Sequence, residues 1–543
     1  MLLGGLLLLP ALLINLGVVV FIDDEAIRSL VAQEMIWSGN WIAPTMHGDA
    51  YLNKPPLWNW LVALSFLAHG GASEWAARLP TVLALLGFGA TTFFFSSKYF
   101  SRHTALLHAL MVVTCGRMLF WDSLLALIDV TLSWVVYTQI MLLYHYGRQG
   151  KWWRAFGWSY ALTAAGFMLK GLPAIVFQGL TVLTILWWTK QWRQFFRAAH
   201  LLSGLGCLAL LGLYYWRYSN YVDLSWVAER LFIESGKRTA MAQGLGASLR
   251  HLVEFPLEMS YHFLPWTILL LLFFRKGSWT ALKTNDFAAF TLVAFLVNIP
   301  VYWLSPNVYP RYLLMLFPLL FGSLIFLYSR EEEKDTQVYR GFRWLFLGLM
   351  AICALVIPLI PLIPDTEMVS HAWWKSFVLG VTAGAVWWLG WRSPRDTVLA
   401  FAVMLLVIRI VFNVFVLPPR AAGDERGNAV RDTAHAVVDQ HESQRMAIYG
   451  FTLIEPATGY YLSIRRGRII PRQWEKFDDT TAYIVSPLQY PDLEVSATDS
   501  LYLRHLRVNY PVGRLPDPPA GRAALNGVLR DGMGAGIPVR ATE

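Results

Sequence analysis

The sequence predicts a polytopic α-helical membrane protein with a small C-terminal α/β domain. Three observations carry that reading. Of 543 residues, 56% are hydrophobic and only 15% charged, where soluble domains carry about a quarter charged residues. Apolar runs long enough to cross a hydrocarbon core, roughly twenty residues each, recur to about residue 417. Beyond that point the chain turns polar and turn-punctuated, with short β-like runs.

Thirteen spans are predicted near 2–21, 76–97, 104–119, 124–144, 155–169, 171–189, 198–217, 259–274, 285–303, 311–328, 344–362, 374–391 and 396–417. The first lacks a basic leading segment and runs straight into DDEA without a small-residue cleavage site, so it reads as a retained helix. Short loops on one side hold Lys98 and Arg102; Arg148, Lys151 and Arg154; Lys190, Arg193 and Arg197; and Arg275, Lys276 and Lys283. By the positive-inside rule these face the cytoplasm. The net charge of +9 is thereby placed in cytoplasmic loops and implies no nucleic-acid partner. An odd number of crossings puts the carboxyl tail and the long segments 22–75 and 218–258 on the outer face. The expected division is a membrane domain at 1–417, with those two outer loops, and an outer α/β domain at 418–543. Cys115, Cys207 and Cys353 lie in or beside apolar segments and suggest neither a disulfide nor a metal cluster.

In the tail, a helix is expected near 427–440 and strands at MAIYGF (446–451), GYYLSI (459–464), TAYIVS (481–486) and SLYLRHLRV (500–508). The last thirty residues read as irregular.

The first outer loop opens with DDEAIRSLVAQEMIWSG. Ile27, Leu30, Val31 and Met35 fall on one helical face and Gly39 suits the C-terminal end, so an amphipathic helix lying along the membrane surface is predicted. Asp23 or Asp24 can cap it, and acids suit its dipole; yet capping needs one carboxylate and the sequence offers Asp23, Asp24 and Glu25. Next come a Gly48-Asp49 turn and Lys54, held extended by Pro55-Pro56. A lysine here reads either as a headgroup snorkeller or as a phosphate ligand.

Charge recurs where it is costly. Arg117, Asp122 and Asp129 lie within or between spans, where an ionisable group costs roughly 2.5–3.5 kcal/mol on insertion scales. Asp122 and Asp129, seven apart, are expected to share one helical face, and Arg117 can pair with Asp122. Lys170 precedes a Gly171-Leu172-Pro173 turn, and Arg311 follows Pro310 with Tyr309 and Tyr312 beside it. Each is an interfacial anchor taken alone. Together with Lys54, Arg28 and Arg117 they place positive charge on the outer face, where something anionic is expected.

DDEAIRSLVAQEM, SGNWIAPTMHGDAYLNKPPLWNWLVALS and SEWAARLPTVLALL resemble the first periplasmic loop and second membrane helix of bacterial polyprenyl-phosphate-dependent type C glycosyltransferases. That group contains the aminoarabinose transferases and protein O-mannosyltransferases. GRMLFWDSLLALIDVTLSW, FMLKGLPAIVFQG, FLPW and SPNVYPRYLLMLFPLL agree, so the likeness covers most of 1–417. It implies a multi-pass bacterial inner-membrane enzyme with a periplasmic active site. Sugar would move from a polyprenyl-phosphate donor to lipid A or another envelope glycolipid. It further implies that Lys54, Arg28, Arg117, Lys170, Tyr309 and Arg311 bind the donor phosphate, and that Asp122 and Asp129 bind sugar. Two departures point to a neighbouring branch. Asn53 stands where aminoarabinose transferases carry a metal-binding glutamate, which makes a divalent metal doubtful and leaves no metal ligand assigned. Arg28 lies four residues after Asp24 rather than three, about 100° further round a helix.

No nucleotide-binding G-x-x-x-x-G-K-[ST] or G-x-G-x-x-G loop is present, which fits a lipid-linked donor. Fixed cations stabilise charge on a departing phosphate. Asp24, with Glu25 or Asp23 orienting substrate, would deprotonate an acceptor hydroxyl, and one backside displacement inverts the anomeric centre. A lipid-phosphate acceptor would need no base. Two alternatives are O-mannosyltransferase-like transfer to secreted proteins and, in another class, a lipid or sugar transporter. Absent repeats, the odd span count and the charged outer loop weigh against a transporter.

Overall fold

In the computed structural model, residues 2–236, 245–474 and 480–515 are described. They fold into two compact units. The first comprises 1–18, 78–213 and 231–419; the second comprises 19–77, 214–230 and 420–543. The break in composition near 417 thus falls close to a unit boundary. Segment 22–75, predicted as an outer loop, groups with the C-terminal residues rather than with the helices of the first unit.

The first unit is helical. By length and hydropathy five helices of the described residues can cross a membrane: Glu74–Ser96, Ala198–Tyr218, Asp286–Trp303, Gln337–Leu362 and Pro394–Ala422. Arg102–Thr114 and Gly116–Leu124, bent by 47°, make a sixth if taken as one span. Other predicted spans are shorter or interrupted. The first helix is Leu2–Leu13 rather than 2–21, and the segment predicted at 259–274 is a helix ending at His262 followed by a 3-10 stretch, Trp266–Phe274. Close helix approach uses small residues, as expected where apolar burial gives little net drive between helices. A Cβ on Gly166 would lie 2.7 Å from that of Ala174. Helices Ile128–Arg148 and Trp152–Lys170 are antiparallel neighbours joined by a tight turn. The first turn of one therefore meets the last turn of the other.

Asp122 and Asp129 do not share a helix. Asp122 opens a 3-10 turn, Asp122–Leu124, and Leu125 and Leu127 are extended before the helix starts at Ile128. The seven-residue spacing is broken by that interruption.

In the second unit, helix Asp23–Ser38 ends on Gly39 in the left-handed conformation (φ 69°). It is not a surface helix. Val31 and Met35 pack with Tyr51, and the polar side is buried too, including Arg28, Ser29, Gln33 and Glu34. After it come a hairpin, β1 (Thr45–Met46) and β2 (Asp49–Ala50), and helix Leu57–His69. The hairpin turn has His47 and Gly48 both at positive φ, 58° and 80°, the pattern of a type I′ turn.

The C-terminal part carries helix Glu425–Gln440, capped by Asp424 accepting from the Gly427 N–H. A five-stranded sheet follows, built from β3 (Met446–Tyr449), β4 (Arg472–Gln473), β5 (Ala482–Ile484), β6 (Ser496–Leu503) and β7 (Val508–Arg514) in the order β4-β3-β5-β7-β6. β3 is parallel to β4 and β5, and the other pairs are antiparallel. GYYLSI is not a strand but part of helix Pro456–Arg466. Pro456 in its first turn and Gly467 in the left-handed conformation after it delimit the helix, and these ends override the aromatic content that suggested β structure. The expectation of an irregular last thirty residues falls almost entirely outside the described residues.

Candidate functional site

In the first unit the site is a cluster of paired charges. Asp129, in the first turn of its helix, is 7% exposed. Lys170 Nζ donates to its Oδ1, brought there by the antiparallel helix pair. Arg311, on the 3-10 turn Pro310–Leu313, places Nε 3.4 Å from its Oδ2. Two cations thus share one carboxylate. Both stack on tyrosines: Lys170 Nζ lies 3.7 Å from the Tyr312 ring centroid, and the Arg311 guanidinium lies 4.4 Å from that of Tyr309. Tyr309, at the edge of the cluster, is half exposed. Arg117 grips buried Asp122 with two nitrogens, at 2.8 and 3.3 Å, and Asp129 and Arg311 are close enough to act on Asp122 electrostatically. Arg117, Asp122, Asp129, Lys170, Tyr309 and Arg311, scattered over the sequence, therefore form one constellation. The ion pair weighed for Arg117 and Asp122 is present.

In the second unit the acidic start of helix Asp23–Ser38 is resolved into roles. The N-terminal cap is Ile22, not an aspartate, and Glu25 reaches back to accept the Ile22 N–H at 3.2 Å. Glu25 is fully buried, and this hydrogen bond holds the start of the helix. Asp24 is exposed. The side chain of Asp23 lies outside the described residues. Arg28 is buried and donates to the Tyr51 hydroxyl, so it secures the loop ahead of Lys54. Lys54 is half-buried, and its exposed neighbour Asn53 accepts a 2.8 Å hydrogen bond from Arg230 Nε.

Arg230 was not singled out in the sequence; only its placement beside the lysine motif marks it. Its bond also bears on metal binding. The Asn53 carbonyl oxygen, the one donor that position offers a cation, is engaged by a guanidinium, and among the described residues no three His, Cys, Asp or Glu side chains cluster. The residues here do not fit a divalent metal.

Sequence reasoning also missed a buried ionisable group behind the loop. Glu34, fully buried, accepts from Thr45 Oγ1 (2.7 Å), the His47 N–H (2.6 Å) and the Gly48 N–H (3.2 Å). Burial pushes its carboxyl up to about 7, against the pull of those donors. A raised folded pKa means the folded state holds its proton more tightly than the unfolded chain, so this contribution is full below about pH 4.5 and is lost as pH rises through 7. The stability of the wild type relative to Glu34→Gln should therefore fall by about 3 kcal/mol between pH 4.5 and 8. Thermal unfolding of both proteins across that range checks this; a constant difference would show that Glu34 does not titrate.

The chain shares its fold with a polytopic membrane protein: the crystal structure of ArnT from Cupriavidus metallidurans bound to undecaprenyl phosphate superimposes with a TM-score of 0.68 at 18% identity, over 94% of this chain and 97% of that one. More narrowly, the chain resembles the polyprenyl-phosphate-dependent transferases of the aminoarabinose group. Residues 53–216 match the family model for dolichyl-phosphate-mannose-protein mannosyltransferases. The undecaprenyl phosphate-alpha-4-amino-4-deoxy-L-arabinose arabinosyl transferase of Pseudomonas paraeruginosa is 25% identical over 353 residues, 62% of this chain and 61% of the relative. The second such transferase of Pseudomonas fluorescens is 27% identical over 361 residues, with the same coverages. The matched part spans under two thirds of these relatives' length.

Proposed function

We propose that the protein is an inner-membrane glycosyltransferase that moves a sugar from a polyprenyl-phosphate donor to lipid A or another envelope glycolipid on the periplasmic side, with inversion, and that its chain crosses the membrane thirteen times. The observation that carries this reading is the buried pairing of Lys170 and Arg311 around a single carboxylate, Asp129, with exposed Tyr309 at its edge. A surplus of fixed cations at low dielectric favours an anion and stabilises charge developing on a departing phosphate. In the second unit Lys54, beside Asn53, is a candidate phosphate ligand in its own right, as the sequence resemblance implies. Asp24, exposed where Glu25 already holds the helix start, is the base that takes the acceptor hydroxyl proton as oxygen attacks the anomeric carbon and the phosphate leaves with the bonding pair.

Native mass spectrometry with undecaprenyl phosphate tests the donor assignment. Lys54→Ala should bind it about ten to a hundred times more weakly, the loss expected for a hydrogen bond to a charged group. Unchanged retention would remove Lys54 from the donor site. The match of 53–216 to protein mannosyltransferases favours a second reading, in which secreted proteins are the acceptor. Mass spectra of envelope glycolipids and secreted proteins from a deletion strain distinguish the two by which class loses a sugar.

A further inference from the structure

The hairpin ahead of Lys54 is tied to the C-terminal sheet by contacts that the function described so far does not use. Arg472, at the start of β4, donates its backbone N–H to the His47 carbonyl at 2.9 Å and sets Nε 3.3 Å from Asp49 Oδ2. Its Nη1 donates to the carbonyls of Gly450 and Thr452, so the guanidinium is held from the sheet side as well. Both side chains of the pair are almost buried, at 12% and 11% exposure.

His47 is clamped from the same side. Its Nδ1 lies 3.3 Å from the Ile470 carbonyl, and burial lowers its pKa to about 3. The ring is therefore neutral, and Nδ1 must carry the proton it donates. Gly459 lies against the ring so closely that a Cβ there would stand 2.5 Å from His47 Nε2. On the opposite flank Glu34 holds Thr45, His47 and Gly48. Only Tyr51, Leu52 and Asn53 separate the hairpin from Lys54, and two of these are fixed in turn, Tyr51 by Arg28 and Asn53 by Arg230.

We propose that Arg472 is a positioning residue for transfer: through Asp49 and the His47 backbone, the C-terminal domain clamps the β1–β2 hairpin and so sets where the Lys54 ammonium meets the donor phosphate. This rests on the donor-site reading of Lys54. It gives the C-terminal domain a part in donor binding, and explains why an ion pair and a close glycine contact bear on a two-strand hairpin whose own ladder is too short to hold it. A ligand displaced by about 1 Å can cost up to a hundredfold in productive interaction even when the cause is remote.

The test uses the full-length protein in detergent with undecaprenyl phosphate as probe, comparing wild type, Lys54→Ala, Arg472→Gln, Asp49→Asn and the Lys54→Ala/Arg472→Gln double variant. Arg472→Gln and Asp49→Asn should each weaken binding about tenfold, and the double variant should bind no more weakly than Lys54→Ala alone, because the clamp acts through that lysine. Arg472→Lys, which keeps the charge, should recover part of the loss. Amide hydrogen exchange over 45–54 should quicken in Arg472→Gln. Wild-type affinity in both single variants, or fully additive losses in the double variant, overturns the clamp, and so does unchanged exchange over 45–54. If Lys54→Ala alone binds normally, the donor-site reading fails instead, and exchange still decides whether the clamp exists. Should Arg472→Gln not fold, Asp49→Asn carries the same comparison.

Discussion

Asp24→Asn is expected to lower glycosyl transfer by about 10² to 10⁴-fold, the range for loss of a positioned general base, while leaving the protein folded and able to bind undecaprenyl phosphate. The structure separates these effects because the acids that open helix Asp23–Ser38 are not equivalent. Glu25 is buried and accepts the Ile22 N–H, so it is the carboxylate that secures the helix start. Asp24 is exposed one residue earlier, and its interaction with the helix dipole is worth about 0.3–1 kcal/mol, too little to unfold the unit when neutralised. Glu25→Gln should behave oppositely, lowering thermal stability and affecting transfer only in proportion to the folded fraction. Transfer assays with purified protein, read beside unfolding curves, compare the two. Wild-type transfer by Asp24→Asn would mean that the acceptor brings its own negative charge and needs no base, as a lipid phosphate does.

How far this could be read from the sequence depends on which physical signal each feature leaves. Charge inside an apolar run is conspicuous, so Asp122, Asp129, Lys170 and Arg311 were visible one by one. Their union around Asp129 was not, since it needs the antiparallel packing of Ile128–Arg148 on Trp152–Lys170 and the approach of the Pro310–Leu313 turn. The apolar face of DDEAIRSLVAQEM correctly marked a helix but not its setting. A helix with one apolar stripe looks the same at a membrane surface and inside a domain; only the burial of Arg28, Gln33 and Glu34 distinguishes them. GYYLSI misled because its tyrosines favour strands, whereas the helix is set by Pro456 and Gly467 outside the motif. Asp49 was legible as a turn residue, but its partner Arg472 lies more than four hundred residues away, and nothing in one sequence announces such a pairing.

Asp129→Asn should have two effects of opposite sign: a less stable protein and a firmer hold on polyprenyl phosphate. Lys170 and Arg311 are largely buried, with side-chain exposures of 8% and 16%, and both contact this carboxylate. Breaking a buried ion pair from one side costs about 3–5 kcal/mol, because the remaining charge stays desolvated with less compensation. The same carboxylate, however, competes with any phosphate brought to those cations and repels it. Once it is neutral, phosphate is the strongest anion available to Lys170 and Arg311, and ligand binding stabilises the folded state according to its affinity for that state. Undecaprenyl phosphate should therefore raise the melting temperature of Asp129→Asn by more than it raises that of the wild type, although the variant starts lower. Arg311→Gln provides the contrast, since it removes a cation and should shrink the ligand-induced shift. A smaller shift in Asp129→Asn than in the wild type would place the donor phosphate away from this cluster and leave Lys170 and Arg311 as a structural ion-pair network of the membrane helices.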